Sequence, residues 1–295
     1  MIRHGTPARA FTVDGEHGNA AFVFATEAEA QVDFEACVAL ARRQQGEVTW
    51  LRRGAGSADA GLRFFTPGGE IAFCGHGLLA AAAWADAHDG PRASRVFEIG
   101  GKPVSVLGDG ARRWSYAQDG GGSEPLDAGL LDDALRALGI ARIDALRAAG
   151  ATLARSVGAP REKLLLELPD AALLAAISID PAQRDALCER LGATGIYVFA
   201  VRDRVAPRLA ARHFPHRVGT QEDMATGGIA PTVVRYARLA EAGTAAGAAV
   251  VIDQGGPACG LARLVVSPSA GAWRVAGECV IEPAVPLVGI VREVC

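Results

Sequence analysis

Two short segments, one in each half of the chain, place acidic, small and nucleophilic residues at matching positions. Each has a glutamate, three further residues, a Cys or Thr and a glycine before an apolar helical stretch; they are Glu70-Ile71-Ala72-Phe73-Cys74-Gly75-His76-Gly77 and Glu222-Asp223-Met224-Ala225-Thr226-Gly227-Gly228-Ile229. Small residues at a helix start leave its first amides open to a carboxylate or phosphate. We therefore expect one anion site between two domains. The alternative is that glycine only lets each helix pack closely on a sheet.

The motifs of the common cofactor sites are missing from the sequence. Only Lys102 and Lys163 are lysines, and neither lies in Gly-x-x-x-x-Gly-Lys-[Ser/Thr], which disfavours phosphate-loop and pyridoxal chemistry. No Gly-x-Gly-x-x-Gly follows a strand-like run, so no dinucleotide site is predicted. His213 and His216 flank Pro215, which disfavours the helix that would align them on a metal. We expect neither cofactor nor metal, and chemistry carried out by side chains alone.

Composition and charge exclude several other classes of protein. Half of the 295 residues are hydrophobic, and 30 Lys+Arg against 33 Asp+Glu give a net charge of -3 without any basic run. This argues against nucleic-acid binding. The longest uncharged apolar stretch, 71–85, is shorter than the roughly 20 residues that span a bilayer, and no secretory signal opens the sequence. We expect a cytoplasmic protein without membrane contact.

The cysteines predict no covalent or metal framework. The six are scattered without Cys-x-x-Cys spacing, which is typical of free thiols; they are Cys37, Cys74, Cys188, Cys259, Cys279 and Cys295.

Periodicity predicts an α+β fold. Short alternating or β-branched runs predict strands in both halves. Helical periodicity is confined to five segments: 26–43, 75–88, 127–138, 181–191 and 227–242. The Gly-rich stretch 118–125 is typical of a linker and predicts two domains of similar make-up.

At these residues the sequence resembles the phenazine-biosynthesis PhzF-like family, a branch of the diaminopimelate epimerase fold. Seven motifs occur in order between about residue 10 and residue 282: Gly18-Asn19-Ala20-Ala21, Gln45-Gly46-Glu47-Val48-Thr49, Arg63-Phe64-Phe65-Thr66-Pro67, Glu70 to Gly77, Arg212-His213-Phe214-Pro215, Glu222 to Gly227, and Gln254-Gly255.

The resemblance implies two similar domains, each a rolled, barrel-like β-sheet around one central helix. Their expected extents are 1–118, completed by 282–295, and 119–281. It also implies a cofactor-independent isomerase of secondary metabolism, which shifts a proton at carbon in a small carboxylate-bearing substrate. A homodimer is left open.

The resemblance also assigns site residues by position. Glu47 matches the general acid/base, His76 the histidine after Cys-Gly, and Asp223 the acid of the Asp-x-x-Thr-Gly turn. Expected substrate-binding residues are Asn19, Cys74, Gly75, Gly77, Arg212, Thr226, Gly227 and Gly228.

Some positions depart from the family pattern. Gly228 stands where Ser is usual, which removes a hydroxyl, and Ala20 stands where Pro is common. Cys74-Gly75-His76-Gly77 is similar to the Cys-Gly-Asn-Gly turn of diaminopimelate epimerases, which use two opposed thiols. Thr226 occupies the position of the second thiol.

The chemistry leaves three functions open. A C–H beside a carboxylate is weakly acidic, so an isomerase needs a base in a dry cleft; burial would raise a glutamate pKa from about 4.3 toward the working pH. The second function is an amino-acid racemase or epimerase that uses Glu47 with Cys74, His76 or Asp223. The third is an inactive protein that binds a small anion or acts as a scaffold, with Glu47 a solvated charge on an edge strand and His76 a hydrated helix-start residue.

Overall fold

The structure, a computed structural model, describes residues 4–28, 30, 32–54, 58–159, 161–216, 222–239, 248–256 and 259–287. Internal contacts divide the chain into two compact units: Met1–Ala117 with Ala276–Cys295, and Gln118–Val275. The sequence placed the return to the first unit at 282. It begins at 276 because Glu278 to Ile281 pair with the first strand of the chain.

The first unit contains most of the early strands and two helices. Its elements are β1 (His4–Thr12), β2 (Asn19–Thr26), α1 (Phe34–Gln44), β3 (Glu47–Arg53), β4 (Ala60–Thr66), β5 (Gly69–Ile71), α2 (Gly75–Asp89), β6 (Ser94–Ile99), β7 (Lys102–Gly108) and β8 (Arg113–Gln118).

The described part of the second unit contains five helices. Its elements are β9 (Gly122–Pro125), α3 (Ala128–Ala137), α4 (Ile143–Ala148), β10 (Thr152–Val157), β11 (Leu164–Glu167), α5 (Ala172–Ala175), α6 (Pro181–Leu191), β12 (Gly195–Asp203), β13 (Arg208–Pro215), a 3₁₀ turn (Gly227–Ile229), α7 (Ala230–Tyr236), β14 (Val250–Gly256) and β15 (Gly260–Ser269). Strand β16 (Ala272–Ile281) then leads back to the first unit, where β17 (Val285–Pro286) pairs with β1.

The first unit is a closed eight-stranded barrel. Its strands pair in the order β1, β2, β3, β4, β6, β7, β8, β16 and back to β1. Helix α2 packs against β1, β2 and β3, and every residue from Gly77 to Ala85 is buried. A helix that is apolar all round is a core helix. The expected α+β fold with a rolled sheet around a central helix is confirmed.

In the second unit, alternate residues of one sheet face two different layers. The sheet order is β9, β10, β11, β12, β13, β14, β15. On one face Ile196, Val198 and Phe214 join the apolar cluster formed with α3, α5 and α6. On the other face the Phe199 ring contacts Tyr236 of α7 at 5.9 Å. Arg212 pairs with Val198 and lies on the first face, whereas its neighbour His213 pairs with Tyr197 and lies on the second.

Several predicted elements have different bounds in the structure. Helix α1 starts at Phe34 rather than 26, because β2 continues to Thr26 and the Asp33 carboxylate caps the amides of Glu35 and Ala36. The stretch 118–125 begins at the boundary between the two units, but it contains strand β9 and is not an extended linker along its whole length. A Cβ on Gly121 would stand 2.5 Å from the Val157 carbonyl, which explains a glycine there by close packing. The end of the fifth predicted helix, 240–242, lies outside the described residues.

Two further expectations concern cysteines and membranes. The described cysteines, Cys37, Cys74, Cys188, Cys259 and Cys279, are free thiols, and Cys295 lies outside the described residues. Among the described helices, none combines the length and the apolar composition needed to cross a bilayer.

Candidate active site

Four of the predicted residues form a first cluster in the first unit: Asn19, Glu47, Cys74 and His76. Cys74 is the N-cap of α2 and His76 lies in its first turn, while Asn19 and Glu47 open strands β2 and β3. Glu47 pairs with Ala21 of β2, and β4 borders β3 on the other side. The interpretation of Glu47 as an edge-strand charge is therefore wrong.

The imidazole of His76 links this first cluster. Its Nε2 lies 3.2 Å from Oε2 of Glu47. Its Nδ1 lies 3.4 Å from Nδ2 of Asn19 and 3.5 Å from Sγ of Cys74. Because the Asn19 amide nitrogen only donates, His76 Nδ1 is the acceptor in that contact, a role assigned from the network. The approach of Nε2 to Oε2 of Glu47 is an ion-pair distance without hydrogen-bond geometry.

The contact between His76 and Glu47 is largely shielded from water. Their side chains are 11% and 19% exposed. The imidazole packed against the carboxylate limits the orientations open to Glu47, as a general base requires.

The glycines at the start of α2 are explained by close packing. A Cβ on Gly75 would collide with the Tyr116 hydroxyl, and one on Gly77 with Thr49 Oγ1. The Gly77 amide already donates to Cys74 Sγ at 3.1 Å. An anion at the amides of Gly75 to Gly77 stays a prediction, and the Gly77 amide is not open to it.

Two hydroxyls beside this helix start were not identified from the sequence. Thr49 Oγ1 and the Tyr116 hydroxyl are buried, and neither has a hydrogen-bond partner among the described residues. Burial, and then the charge of Cys74, raise the pKa of Tyr116 well above its usual range. A signal for Thr49 was available, because it follows Glu47 by two residues and so points to the same face of β3.

The second unit holds a second cluster, formed by Tyr197, His213, Asp223, Thr226 and Gln254. Thr226 Oγ1 donates to Asp223 Oδ2 at 2.8 Å and lies 2.9 Å from His213 Nδ1. The Gln254 amide donates to Thr226 Oγ1 at 3.0 Å and to the Asp223 carbonyl at 2.7 Å. Its Oε1 accepts from the Tyr197 hydroxyl at 3.0 Å. These bonds fix the predicted Asp223 and Thr226 side chains in one network.

Electrostatics within the second unit favour a neutral His213. Burial, and next the charge of Lys163, lower the pKa of His213 to about 4. Burial lowers the pKa of Lys163 to about 8. His213 was considered from sequence only as a metal ligand; its pairing with Asp223 across an isolated β-bridge depends on the folded loop.

The contacts of Arg212, Gly227 and Gly228 differ from those of the second cluster. The Arg212 guanidinium forms a two-pronged ion pair with Glu222, at 2.8 and 2.6 Å, and donates to the Leu174 carbonyl at 2.8 Å. Both side chains of the pair are about nine-tenths buried. These contacts give Arg212 a structural role and do not support the predicted contact with a substrate carboxylate. Gly227 is buried in the 3₁₀ turn, whereas a Cβ on Gly228 would meet no atom within 4 Å.

One group of described residues has the donor set of a metal site. Glu47, Cys74 and His76 each offer one ligand atom, all within 4.8 Å of one another. The sequence disfavours a metal site formed by His213 and His216. In the structure His216 Nε2 lies 3.9 Å from Oε1 of Glu189. Catalysis without metal, and the action of Glu47, His76 and Asp223 on one substrate, stay predictions.

The geometry can be compared with known proteins. A model of the phenazine biosynthesis-like protein family matches residues 8–259. No curated protein sequence matches the chain. A solved PhzF-family protein from Bacillus anthracis is 17% identical with a TM-score of 0.81, over 98% of this chain and 100% of that one. A predicted epimerase from Pseudomonas aeruginosa is 24% identical with a TM-score of 0.73, over 97% and 99%.

A more distant solved structure has the same fold. The hydroxyproline epimerase of Agrobacterium vitis, solved with trans-4-hydroxy-L-proline, is 10% identical with a TM-score of 0.53, over 97% of this chain and 91% of that one. These likenesses establish the fold. Because the family model covers most of the sequence, the chain belongs to the phenazine biosynthesis-like family.

Proposed function

We propose that this protein is a cofactor-independent isomerase that removes a proton from carbon beside a carboxylate and returns it to the same molecule. The observation that carries the proposal is the contact between Glu47 and His76, a carboxylate base and an imidazole 3.2 Å apart at the start of a buried helix. An exposed Glu47 far from the helix start would have favoured simple anion binding. Family membership and the epimerase named among the structural neighbours are in keeping with this reaction.

In the proposed reaction Glu47 takes the proton, and His76 holds the Glu47 carboxylate in position. The Glu47 carboxylate abstracts the C–H proton. The electrons left on carbon spread into the substrate carboxylate or a neighbouring π-system, where hydrogen-bond donors stabilise the enolate-like charge. The protonated Glu47 then returns the proton to a conjugated carbon on the same face, which gives an isomer with a shifted double bond.

Racemisation remains the second candidate because of one observation. Cys74 Sγ lies 3.5 Å from His76 Nδ1, so a thiol is present beside the same ring. Racemisation needs an acid on the face opposite the base. Asp223, with its bound Thr226 hydroxyl, is the other proposed source of that acid.

The test is proton NMR of small carboxylates incubated with the protein in D₂O. A true substrate exchanges one carbon-bound proton for deuterium, whether or not its product is known. Exchange with a shifted double bond indicates isomerisation, and exchange with loss of optical rotation indicates racemisation. Binding of the same carboxylates without any exchange would favour the inactive, anion-binding interpretation.

A further inference from the structure

Lys163 is a buried lysine that the proposed reaction does not use. It is 4% exposed, next to the first residue of β11. Its Nζ donates to Thr194 Oγ1 at 3.2 Å, and Thr194 Oγ1 donates to the Glu162 carbonyl. That bond uses one of the three ammonium hydrogens. Burying a charged group is costly, so a role for this ammonium has to be sought in its surroundings.

The strand register places Lys163 on the same sheet face as the second cluster. Leu164 pairs with Ile196, which puts Lys163 beside Gly195. Gly195 is two residues from Tyr197, and Tyr197 pairs with His213 on β13. Because side chains alternate along a strand, Lys163, the missing side chain of Gly195, Tyr197 and His213 share one face.

Gly195 leaves room between the lysine and the histidine. Its φ of +151° falls where only glycine is unstrained, and a Cβ there would stand 2.8 Å from His213 Nε2. That Nε2 is buried, and no described residue supplies it with a hydrogen-bond partner. A side chain at position 195 would therefore collide with Nε2 on the side where Lys163 neighbours Gly195.

The second cluster fixes which ring nitrogen carries the proton. Thr226 gives its hydroxyl hydrogen to Asp223 Oδ2, and the Asp223 carboxylate only accepts. His213 Nδ1, 3.2 Å from Oδ2, is then the donor. In the neutral ring Nε2 keeps a lone pair, which faces the side of the sheet where the ammonium lies.

We propose that Lys163 is a positioning residue for Asp223. Its ammonium charge adds to burial in keeping the His213 ring neutral with the proton on Nδ1, and this proton holds the Asp223 carboxylate. A second proton on the ring would place two positive charges together in a buried site. The inference rests on the proposed function only in taking Asp223 to act on substrate; the state of the His213 ring does not depend on it.

Other charged groups also act on Lys163 and His213. Arg161 disfavours charge on both Lys163 and His213, while Asp223 and Cys188 favour the charged lysine. Glu162, the neighbour in sequence, is paired with Arg155 at 3.0 Å. His216 lies near Glu189. Asp223 is thus the anion that interacts with both Lys163 and His213.

The first experiment measures the protonation state of the His213 ring directly. Protein labelled with ¹⁵N-histidine is studied by long-range ¹H–¹⁵N spectra between pH 5 and 9, as wild type, Lys163→Met and Lys102→Met, with His213→Gln to identify the signals. Lys102 is exposed and is the other lysine of the chain, so it is a matched control. We expect a neutral Nδ1–H ring in wild type and Lys102→Met. In Lys163→Met we expect the His213 midpoint to move upward and an Nε2–H signal to appear. A wild-type proton on Nε2, or an unchanged ring in Lys163→Met, would overturn the proposal.

A second measurement needs no variant and covers the case in which Lys163→Met does not fold. With ¹³C-labelled lysine the wild type gives two signals, and the one that titrates near pH 8 belongs to Lys163. We expect the His213 Nε2 resonance to shift with that same midpoint. A His213 resonance that does not respond to the lysine titration would refute the inference.

Activity then separates this inference from the proposed function. Deuterium exchange should fall in Lys163→Met, recover in part in Lys163→Arg, and decline in wild type above about pH 8 while Lys102→Met follows the wild-type profile. If the ring behaves as expected but no variant or wild type exchanges any carboxylate, the proposed function fails and the role of Lys163 in holding His213 stands. If exchange proceeds but the His213 ring does not respond to the loss of Lys163, the proposed function stands and the role of Lys163 fails.

Discussion

His76 Nε2 lies 3.2 Å from Glu47 Oε2, which joins the first turn of α2 to the first residue of β3. The helix is fixed by burial along its whole apolar length, and the strand by neighbours on both sides. The two side chains therefore meet because rigid elements bring them together, not because a flexible loop does. A base positioned in this way loses little freedom when substrate binds.

Replacement of the proposed base should abolish proton exchange. Glu47→Gln keeps the shape of the side chain beside His76 but removes the basic oxygen, so exchange should fall at least about 10²- to 10⁴-fold, the usual contribution of a general base. The measurement is deuterium wash-in by NMR. Glu70→Gln is the matched control, because Glu70 pairs with Arg63 where both side chains are about 39% exposed. Full exchange by Glu47→Gln would remove Glu47 from the mechanism.

Loss of the Cys74 thiol should cost stability more than activity. Cys74→Ala removes the cap on the Gly77 amide, and a lost helix cap costs about 1 kcal/mol in the free energy of unfolding. Because Glu47 is the proposed single base, most of the exchange should remain. Urea unfolding and deuterium wash-in are measured on the same preparation, with Cys37→Ala as the control for a buried thiol elsewhere in the unit. If Cys74→Ala exchanges as poorly as Glu47→Gln, a mixed thiol and carboxylate racemase replaces the one-base mechanism.

Local signals in the sequence predicted some elements closely and could not predict others. The helix predicted over 181–191 has these bounds because Asp180 caps it, Pro181 opens it and Gly192 ends it in the left-handed conformation. In 118–125 the glycines have the same appearance as those of a linker. Their close contacts with Val157 and Trp273 arise only in the folded unit.

The candidate site likewise has a part that local sequence signals predict and a part that they do not. Motif positions brought Asn19, Glu47, Cys74 and His76 together, because each opens or precedes an element that begins at the same end of the barrel. The bonds of Thr226 to His213 and Gln254 join segments far apart in sequence, so no local pattern encodes them. The partner of Arg212 could not be read from the motif either. An arginine in a motif looks available until its partner, Glu222, is placed beside it.

Removal of metal ions should leave activity intact. Glu47, Cys74 and His76 offer a metal-like donor set, but the proposed base needs Glu47 free to take a proton. Protein dialysed exhaustively against EDTA should exchange deuterium at the rate of untreated protein, and added Zn²⁺ should not raise that rate. Zn²⁺ added to Cys74→Ala serves as the comparison for binding at this donor set. Activity lost on dialysis and restored by a divalent ion would contradict the metal-free mechanism.

Breaking the buried ion pair of Arg212 should destabilise the second unit strongly. Arg212→Met leaves the Glu222 carboxylate buried without its partner, and such a change costs about 3–5 kcal/mol in unfolding free energy. Arg212→Met combined with Glu222→Met should cost less than the sum of the single changes, because neither charge is then left alone. Chemical unfolding of the four proteins gives the coupling. Additive losses, together with a raised KM in a folded Arg212→Lys variant, would return Arg212 to the substrate site.

Titration of His213 should make the free energy of unfolding depend on pH. The pKa of His213 is about 4 in the folded protein, below the ordinary 6.5 that the unfolded chain has. Between these values the unfolded state binds more protons, so the contribution of His213 to stability is complete above about pH 6.5 and is lost as the pH falls toward 4. His213→Gln keeps an amide that can donate to Asp223 but does not titrate. Its unfolding free energy should therefore fall less steeply over this range, by up to about 3 kcal/mol. Urea unfolding at half-unit pH steps measures the slopes, and His4→Gln, at an exposed position, should retain the wild-type slope. Equal slopes in wild type and His213→Gln would mean that the buried ring accepts its second proton as readily as the unfolded chain, and the neutral ring assigned to the second cluster would be wrong.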